Sequence, residues 1–262
     1  MAARAIWKGS LALGMESVPV KLYSAVEDRT VHFNVLEKDT MARITQRMVN
    51  PDTGAEVPRE QMQRGVEVER GVFVRLDDED LAQVQPEDSR NIEITRFVPA
   101  DHIHQQWYDR PYYLGPDDSR TAPYFALAEA LDNEKREGVA RWVMRKKRYI
   151  GALRSQGGYL MLITMKFAEE VLTANDLPRP KGRAPDAKEL QMAEQLVAAL
   201  QDDFRPEDFH DEYRERVMKF IEAKASGQQP KLKIVARKKE SKSLLQSLAA
   251  SIDKVKKEKK VA

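Results

Sequence analysis

The stretch from Gly138 to Ala168 constrains the fold more than any other part of the chain, because it is both strongly basic and rich in strand-forming residues. It holds seven Lys and Arg residues and no acid, in a chain in which 33% of all residues are charged. Two apolar runs, residues 139–153 and 158–167, flank the turn signal SQGG, and this pattern predicts a β-hairpin. The first of its two strands is strongly cationic.

The basic residues of this first strand cannot all lie on one face, because successive side chains of a strand point to opposite faces. Either both faces carry charge, or a bulge near Lys146 redirects some of the side chains. Phosphate is the expected counter-charge, and a solubilising exposed face is the alternative. The candidate nucleic-acid-binding residues of the hairpin are Arg141, Arg145, Lys146, Lys147 and Arg148.

Composition limits the class of protein. At 262 residues and 42% apolar content, with eight Phe, eight Tyr and three Trp, the chain can fill the core of one large or two small domains. The absence of cysteine excludes disulfides, thiol nucleophiles and thiolate zinc sites. No signal peptide is visible and no apolar run approaches the length of a membrane span. We therefore expect a soluble cytoplasmic protein that does not bind a membrane.

Charge is distributed unevenly along the chain. The net charge is +2, but residues 231–262 contain 11 basic residues and three acids, or +8, so the first 230 residues sum to −6. An acidic body with an acid-free cationic hairpin and a basic tail predicts that local patches bind a polyanion while the remaining surface repels nonspecific contacts. A uniformly basic coat is excluded.

The N-terminal half is predicted to alternate core strands with a polar arm. Residues 5–14 and 18–25 read as two apolar strands. Four short strand candidates follow at residues 31–36, 42–49, 65–70 and 72–76, in a section with little to bury. Basic residues recur through it, which favours an arm that projects from the domain, with a solvated hairpin as the alternative. The candidate binding residues of this arm are Lys38, Arg43, Arg47, Arg59 and Arg64.

Helices and further strands complete the body. Residues 77–84 predict a short helix, 91–98 a strand, 111–118 a turn, and 121–134 a helix that buries Phe125, Leu127 and Leu131. After a Pro- and Gly-punctuated linker at residues 177–186, two closing helices are predicted. The first is capped by Asp186 and Glu189, with an apolar stripe at Leu190, Ala193, Val197 and Leu200. The second spans about Glu212 to Ala225, with Tyr213, Val217, Phe220 and Ile221 facing inward.

The C-terminal tail combines lysine runs with one apolar segment, residues 243–255. Its apolar residues fall at helical spacing, but so short a helix is not stable alone. Such segments commonly fold on a partner protein, and a marginal helix docked on its own body is the alternative. The partner-binding candidates are Leu244, Leu245, Leu248 and Ile252. The tail lysines that can reach phosphates are Lys254, Lys256, Lys257, Lys259 and Lys260.

Several motifs in this order resemble the bacterial Ku proteins, which bind DNA ends in non-homologous end joining. They are RAIWKGSLALGMESVPVKLYSA at the start, PEDSRNIEITRFVPADHI, RPYYLGPD, VARWVMRKKRYIGALR, ELQMAEQL and FHDEY. The similarity covers about Arg4 to Ala225. Separate motifs that recur in order over this length make chance agreement improbable.

The resemblance implies a mainly β fold with flanking helices, an α+β chain built on a seven-stranded β-barrel. Residues 1–182 would form the barrel core, with an arm or bridge at about 37–65; residues 183–227 would form the helical segment and 228–262 the tail. Two arms of a homodimer would close a ring through which a DNA end threads, with residues 145–148 near the channel. The chain would begin at the barrel, without the N-terminal α/β domain of eukaryotic relatives.

The resemblance also bears on partners and metals. The C-terminal region of bacterial Ku is associated with recruiting the end-joining DNA ligase, so the tail is its expected docking segment. Some bacterial relatives carry a cysteine pair near the position of MVNPDTG, residues 48–54; its absence here removes the case for zinc. Neither a metal nor a cofactor is expected, and double-stranded DNA ends are the expected ligand.

Two rival functions remain open. A metal-dependent nuclease would use His102 and His104, which alternate beside Asp101 and Asp109, but further ligands are lacking and surface histidines are the simpler interpretation. A chromatin-like architectural protein would coat DNA through the basic tail alone. The first would cleave DNA with magnesium or manganese, and the second would bind closed circles as well as linear DNA.

Overall fold

The backbone closes into a seven-stranded barrel accompanied by a two-stranded ribbon. The computed structural model describes residues 3–117 and 121–227. Within them lie the strands β1 (Trp7–Leu13), β2 (Glu16–Ser24), β3 (Arg64–Glu69), β4 (Val72–Leu76), β5 (Asn91–Pro99), β6 (Tyr108–Pro116), β7 (Arg136–Met144), β8 (Lys147–Gln156) and β9 (Tyr159–Met165). The barrel order is β1, β2, β6, β9, β8, β7, β5, while β3 and β4 form the ribbon. The predicted fold class and the predicted seven-stranded barrel are confirmed.

Four α-helices accompany the strands in residues 3–117 and 121–227: α1 (Asp78–Val84), α2 (Ala122–Asn133), α3 (Ala187–Leu200) and α4 (Glu212–Ala225). The predicted capping box of α3 is present, since the Asp186 carboxylate accepts from the Glu189 amide at 2.9 Å and Glu189 accepts from the Asp186 amide at 3.0 Å. These bonds satisfy amides that the first helical turn leaves unpaired. No helix within the described residues is both long enough and apolar enough to span a bilayer.

The basic stretch forms two strands where one was predicted. Strand β7 ends at Met144 and pairs back onto β8 through the register Met144↔Lys147, so Arg145 and Lys146 are the two central residues of a tight turn. Both have positive φ, 52° and 62°, as a type I′ hairpin turn requires. The predicted continuous strand over residues 139–153 is therefore wrong, and so is the proposed bulge near Lys146. The predicted turn at SQGG is confirmed, because Gln156 pairs with Tyr159 across two glycines.

Strand β6 occupies a segment predicted to be a turn. Its two prolines and one glycine are typical of turns, but the segment is a central barrel strand between β2 and β9. Pro111 lies where the pairing with β9 shifts register, and Pro116 is the last residue of the strand. Tyr112 and Leu114 point into the core. The burial of these alternating side chains outweighs the turn signals, because the prolines fall at positions that a strand tolerates.

The arm has less regular structure than predicted. Residues 31–36 and 42–49 do not form strands; in this part of the described chain the pairing consists of the isolated bridges Leu36↔Arg43 and Val49↔Glu56. Side chains such as Val35 and Met48 are exposed, so no buried face holds a strand in place. The two later candidates are confirmed as the ribbon of β3 and β4.

The barrel interior is filled by leucine, valine and isoleucine, and α2 packs onto it. From α2, Tyr124, Ala128 and Leu131 are buried in the same cluster as the barrel core. The prediction was correct for Leu131 but wrong for Phe125, which is half exposed, and Leu127 is partly buried. Tyr124 takes the position predicted for its neighbour because its hydroxyl donates to the Leu114 carbonyl and accepts from the Leu160 amide.

The helices α3 and α4 contain no buried residue. The predicted stripe of α3 is largely exposed, at 51% for Leu190, 72% for Val197 and 58% for Leu200. On α4, Tyr213 and Ile221 were predicted to face inward and are exposed, whereas Val217 and Phe220, predicted with them, are partly buried. The spacing of apolar residues identified both helices correctly, but the described chain covers their apolar faces only in part.

Contacts divide the chain into two units, which are described separately. One contains Met1–Arg29 and Asn34–Leu177 and therefore holds the barrel and the arm. The other contains Thr30–Phe33 and Pro178–Ala262, with α3 and α4 in its described part. The predicted tail sites lie outside the described residues: Leu244, Leu245, Leu248, Ile252, Lys254, Lys256, Lys257, Lys259 and Lys260.

We predict that Tyr124→Phe lowers the free energy of unfolding by about 1–3 kcal/mol, because it leaves a buried amide and a buried carbonyl without their hydrogen-bond partner. Urea denaturation followed by circular dichroism measures the change. Tyr159→Phe is the control: that ring is more than half exposed, so its loss of a hydroxyl should cost less than about 0.5 kcal/mol. Equal midpoints for the two variants would contradict this role of Tyr124.

Candidate nucleic-acid interface

Four consecutive cations project from the β7–β8 turn, which we call the basic turn: Arg145, Lys146, Lys147 and Arg148. All four are exposed. The turn is anchored to the core through Tyr149, whose ring stacks on Trp142 with centroids 5.4 Å apart and planes inclined by 16°. The Lys147 ammonium lies 5.6 Å from the centroid of the Tyr149 ring. The stacked rings of Trp142 and Tyr149 thus connect the basic turn to the buried core.

A glycine makes this anchoring possible. A Cβ atom on Gly151 would lie 2.6 Å from the Ile163 carbonyl oxygen and 2.9 Å from the ring of Trp142. Such distances are closer than carbon atoms tolerate, so a larger residue at this position would displace the indole. Trp142 itself is almost fully buried. Gly151 therefore allows the tryptophan that supports the basic turn to lie flat against β8.

The other three cations of the stretch are neutralised by acids on neighbouring elements. Arg141 bonds both oxygens of Glu93 on the adjacent strand β5, at 2.8 and 3.0 Å. These hydrogen bonds lower the pKa of the Glu93 carboxyl and raise the pKa of Arg141. Lys166 pairs with Asp109 at 3.3 Å. Arg141 was predicted to bind nucleic acid with the basic turn, but its charge is already compensated.

The third of these pairs is partly buried. Arg154 lies 2.7 Å from Glu137, which is only 3% exposed. Tyr108 donates to Glu137 at 2.7 Å and accepts from Arg154 at 2.8 Å. Burial, together with the hydrogen bond to Glu137, raises the pKa of Tyr108 to about 12. A buried carboxylate needs such partners, so Arg154 has a structural role.

No ion pair forms at the basic turn between its four cations and the described residues. The seven cations of the acid-free stretch from Gly138 to Ala168 therefore fall into two groups in the folded chain. Arg141, Arg154 and Lys166 meet acids from neighbouring elements, and the cations of the basic turn do not. A group of four uncompensated charges attracts phosphate, and a carboxylate-bearing ligand would bind the same donors.

The predicted arm residues are all exposed. Arg47 pairs with Glu56 at 2.8 Å and Arg64 with Asp78 at 3.7 Å. Lys38, Arg43 and Arg59 form no ion pair with the described residues. Exposed pairs of this kind contribute little to stability and exchange readily for another anion.

The histidines of the rival nuclease interpretation do not gather ligands. His102 and His104 are exposed on the connection between β5 and β6. Asp109, the more distant predicted ligand, pairs with Lys166 and accepts from the Thr164 hydroxyl at 3.3 Å. Among the described residues there is no group of three or more side chains that could hold a metal ion.

A cavity beside the basic turn includes residues that the sequence did not single out. It has a volume of about 750 Å³ and is lined by Trp7 and Lys8, by residues 88–90, and by residues 143–146. Arg90 and Lys8 come from segments far from the turn in sequence. Only the closure of the barrel, in which β1 pairs with β5 and β5 with β7, brings the three segments together.

We predict that the double variant Arg145→Asn with Lys146→Gly raises the free energy of unfolding by about 1–2 kcal/mol. Arg and Lys are strained at positive φ, whereas Asn followed by Gly is the preferred type I′ pair. The control is Arg145→Gln with Lys146→Gln, which removes the same two charges and keeps the strain. Urea denaturation compares the two. If both double variants shift the urea midpoint equally, charge rather than backbone strain limits the stability of the turn.

Comparison with known protein families agrees with the barrel fold described above. The family model described as the Ku70/Ku80 beta-barrel domain matches residues 13–192. A protein of Coxiella burnetii named "Non-homologous end joining protein Ku" is 37% identical over 228 residues, covering 86% of this chain and 83% of that protein. Proteins with the same name from Anaeromyxobacter sp. and Archaeoglobus fulgidus are 39% and 32% identical, over 86% and 97% of this chain and 77% and 100% of theirs. The chain therefore belongs to the Ku family.

Proposed function

We propose that this protein binds the ends of double-stranded DNA without reading their sequence, as a ring-shaped homodimer in non-homologous end joining. The observation that carries the proposal is the basic turn, four cations without an acidic partner in the described chain, on a member of the Ku family. Its role is binding at the nucleoid in the cytoplasm, with no catalytic step and no cofactor. The proposal depends on phosphate contacts, which are the same for every sequence.

The arm supplies the second set of contacts. Lys38, Arg43 and Arg59 join Arg47 and Arg64, whose exposed ion pairs can exchange a carboxylate for a DNA phosphate. With the basic turn on one side of a duplex and the arm on the other, the protein would contact the phosphates along the DNA backbone. Because phosphates repeat along the duplex, such a site slides without a preferred sequence.

The homodimer is supported by apolar surface that is exposed among the described residues. Along the arm and its ribbon, Val35, Met41, Met48 and Phe73 are exposed, and the apolar stripe of α3 is exposed as well. A set of large, exposed apolar side chains such as these is typical of an interface with another chain. A two-fold dimer would bring the same patches of both chains together, and closing two arms around one duplex would form the ring.

We predict that the protein binds linear duplex DNA of any sequence and does not load on the same duplex closed covalently into a circle, because a closed ring requires a free end. Gel-shift assays on matched linear and circular DNA measure the difference. Affinity should also fall by about a thousandfold or more between roughly 50 and 200 mM salt, as expected for about 6–10 phosphate contacts.

The control for this experiment is the circle cut once by a restriction enzyme, which should recover full binding. Light scattering on the same preparation should give the mass of two chains. Equal affinity for closed circles and linear DNA would contradict the ring and favour the architectural alternative. Cleavage of the DNA in magnesium or manganese would favour the nuclease.

We further propose that the tail recruits the end-joining DNA ligase. The proposal depends on the tail sequence, in which the apolar stripe of Leu244, Leu245, Leu248 and Ile252 is separate from the lysines of residues 254–260. An amphipathic helix can place such a stripe in the groove of a partner protein, while the lysines contact phosphates. The two halves of the tail would therefore serve two different partners.

We predict that truncation after Gly227 preserves binding to DNA ends but abolishes stimulation of the cognate ligase, because every barrel strand and described helix lies before that residue. Changing Leu244, Leu248 and Ile252 to Asp should cause the same loss. Removal of residues 254–262 alone is the matched control and should mainly lower DNA affinity and its salt dependence. Undiminished ligation of linear ends by the truncated and stripe variants would refute the recruitment role.

A further inference from the structure

The cavity beside the basic turn has the composition of a nucleotide site. Its volume of about 750 Å³ lies within the range of small-ligand pockets, roughly 300–1,000 Å³. Four cations line it, Lys8, Arg90, Arg145 and Lys146, against the single acid Asp88. Trp7 and Met144 add an aromatic ring and a polarisable thioether. Cations beside an aromatic surface are the combination with which proteins hold single nucleotides, phosphate on one side and base on the other.

The charges of this cavity are available to a ligand. Arg90, Arg145 and Lys146 make no ion pair with the described residues. Lys8 contacts Asp117 at 3.4 Å, but that carboxylate is held more closely by Lys21. The cavity therefore offers at least three cations to one carboxylate, and an anionic ligand would relieve their mutual repulsion.

The aromatic wall is fixed in place by the backbone. A Cβ atom on Gly9 would lie 2.0 Å from the ring of Trp7 and 2.2 Å from the carbonyl oxygen of Arg90. Only glycine lets the indole lie against β1 at this point. The same Arg90 carbonyl accepts a hydrogen bond from the Ser10 amide at 2.8 Å. The segment that carries the Arg90 side chain and the ring that would contact a base are thus positioned together before any ligand binds.

Backbone strain is a second, independent observation at the same place. The two turn residues that line the cavity, Arg145 and Lys146, both adopt positive φ, a conformation that is unfavourable for residues with a long side chain. A stable hairpin would carry Asn followed by Gly here. The turn requires positive φ from whichever residues occupy it, but strained residues cluster at functional sites, and these two side chains border the cavity.

We propose that the cavity binds one unpaired nucleotide from the single-stranded overhang of a DNA end, with its phosphate on Arg90 and the turn cations and its base against Trp7. Inside a duplex the faces of each base are covered by its neighbours in the stack. The terminal pair of a blunt end exposes one face but stays paired to the opposite strand, so an unpaired base enters a cavity more readily. A free nucleotide shares this chemistry. The inference rests on the proposed function and adds to it a site that senses the structure of the end.

The test compares one duplex with blunt ends and the same duplex with a short single-stranded overhang, bound by the full-length protein and measured by fluorescence anisotropy. The wild-type protein should bind the overhang duplex at least about fivefold more tightly, since stacking of a base on an aromatic side chain contributes roughly 1–3 kcal/mol. Arg90→Glu should remove this gain. The control Arg96→Glu should keep it. Arg96 is also an exposed arginine, on β5, but it does not line the cavity.

The position of the base is tested through tryptophan fluorescence. The chain has three tryptophans, and binding of the overhang duplex should quench more of their emission than binding of the blunt duplex does. Trp7→Phe keeps an aromatic ring and should bind both duplexes, yet it should lose the additional quenching. Trp7→Leu should lose the gain in affinity as well. Circular dichroism checks that both variants remain folded.

The outcomes separate this inference from the proposed function. Equal binding of blunt and overhang duplexes by the wild-type protein, or an equal loss of the gain in Arg90→Glu and Arg96→Glu, overturns the nucleotide site and leaves DNA-end binding in place. Failure to bind either duplex overturns the proposed function itself. Free dAMP, which lacks a tether to the end, should not remove the gain at micromolar concentration. If it does, the cavity serves free nucleotides and the assignment to overhangs is wrong.

Discussion

The pairing of β7 with β5 and β8 determines where the positive charge of this protein is available. It sets Arg141 opposite Glu93, and the folded barrel brings Arg154 to the buried Glu137. The strand cations Arg141 and Arg154 therefore have carboxylate partners, and the buried Glu137 in particular requires one. The turn between β7 and β8 extends beyond those neighbours, so its cations keep their charge for a ligand. One stretch of sequence thus supplies both ion-paired cations and the cations that we propose bind DNA, and barrel topology separates the two groups.

The ion pair of Arg154 with the buried Glu137 also restricts which substitutions the barrel tolerates. Removing one member of a buried ion pair leaves the other uncompensated, which costs far more than losing an exposed pair such as Arg141 with Glu93. Tyr108 donates to Glu137 and accepts from Arg154, so three strands, β6, β7 and β8, share one polar cluster. The cluster joins the two strands that carry the basic turn to β6, which is separated from β8 by β9.

Much of the fold could be predicted from sequence, because apolar alternation and capping residues are local signals. Both N-terminal strands, the ribbon, α2 and the box of Asp186 and Glu189 were identified in this way. Strand β6 was missed because its prolines carry turn signals, although they fall where a strand tolerates them. The β7–β8 turn was missed because Arg followed by Lys has no turn signature. The cavity could not have been predicted at all, since Lys8, Arg90 and Arg145 meet only through the closure of the barrel.

The C-terminal helices α3 and α4 differ from the barrel in having no buried residues among those described. Each has 14 residues, a length at which an isolated helix is marginal in water unless tertiary packing covers its apolar face. Neither helix has a buried residue in the described chain, and Leu190 and Val197 lie largely in solvent. On the proposed homodimer, the second copy would supply the missing contact surface. Ordering of these helices would then be coupled to dimerisation, so their stability would depend on protein concentration while that of the barrel core would not.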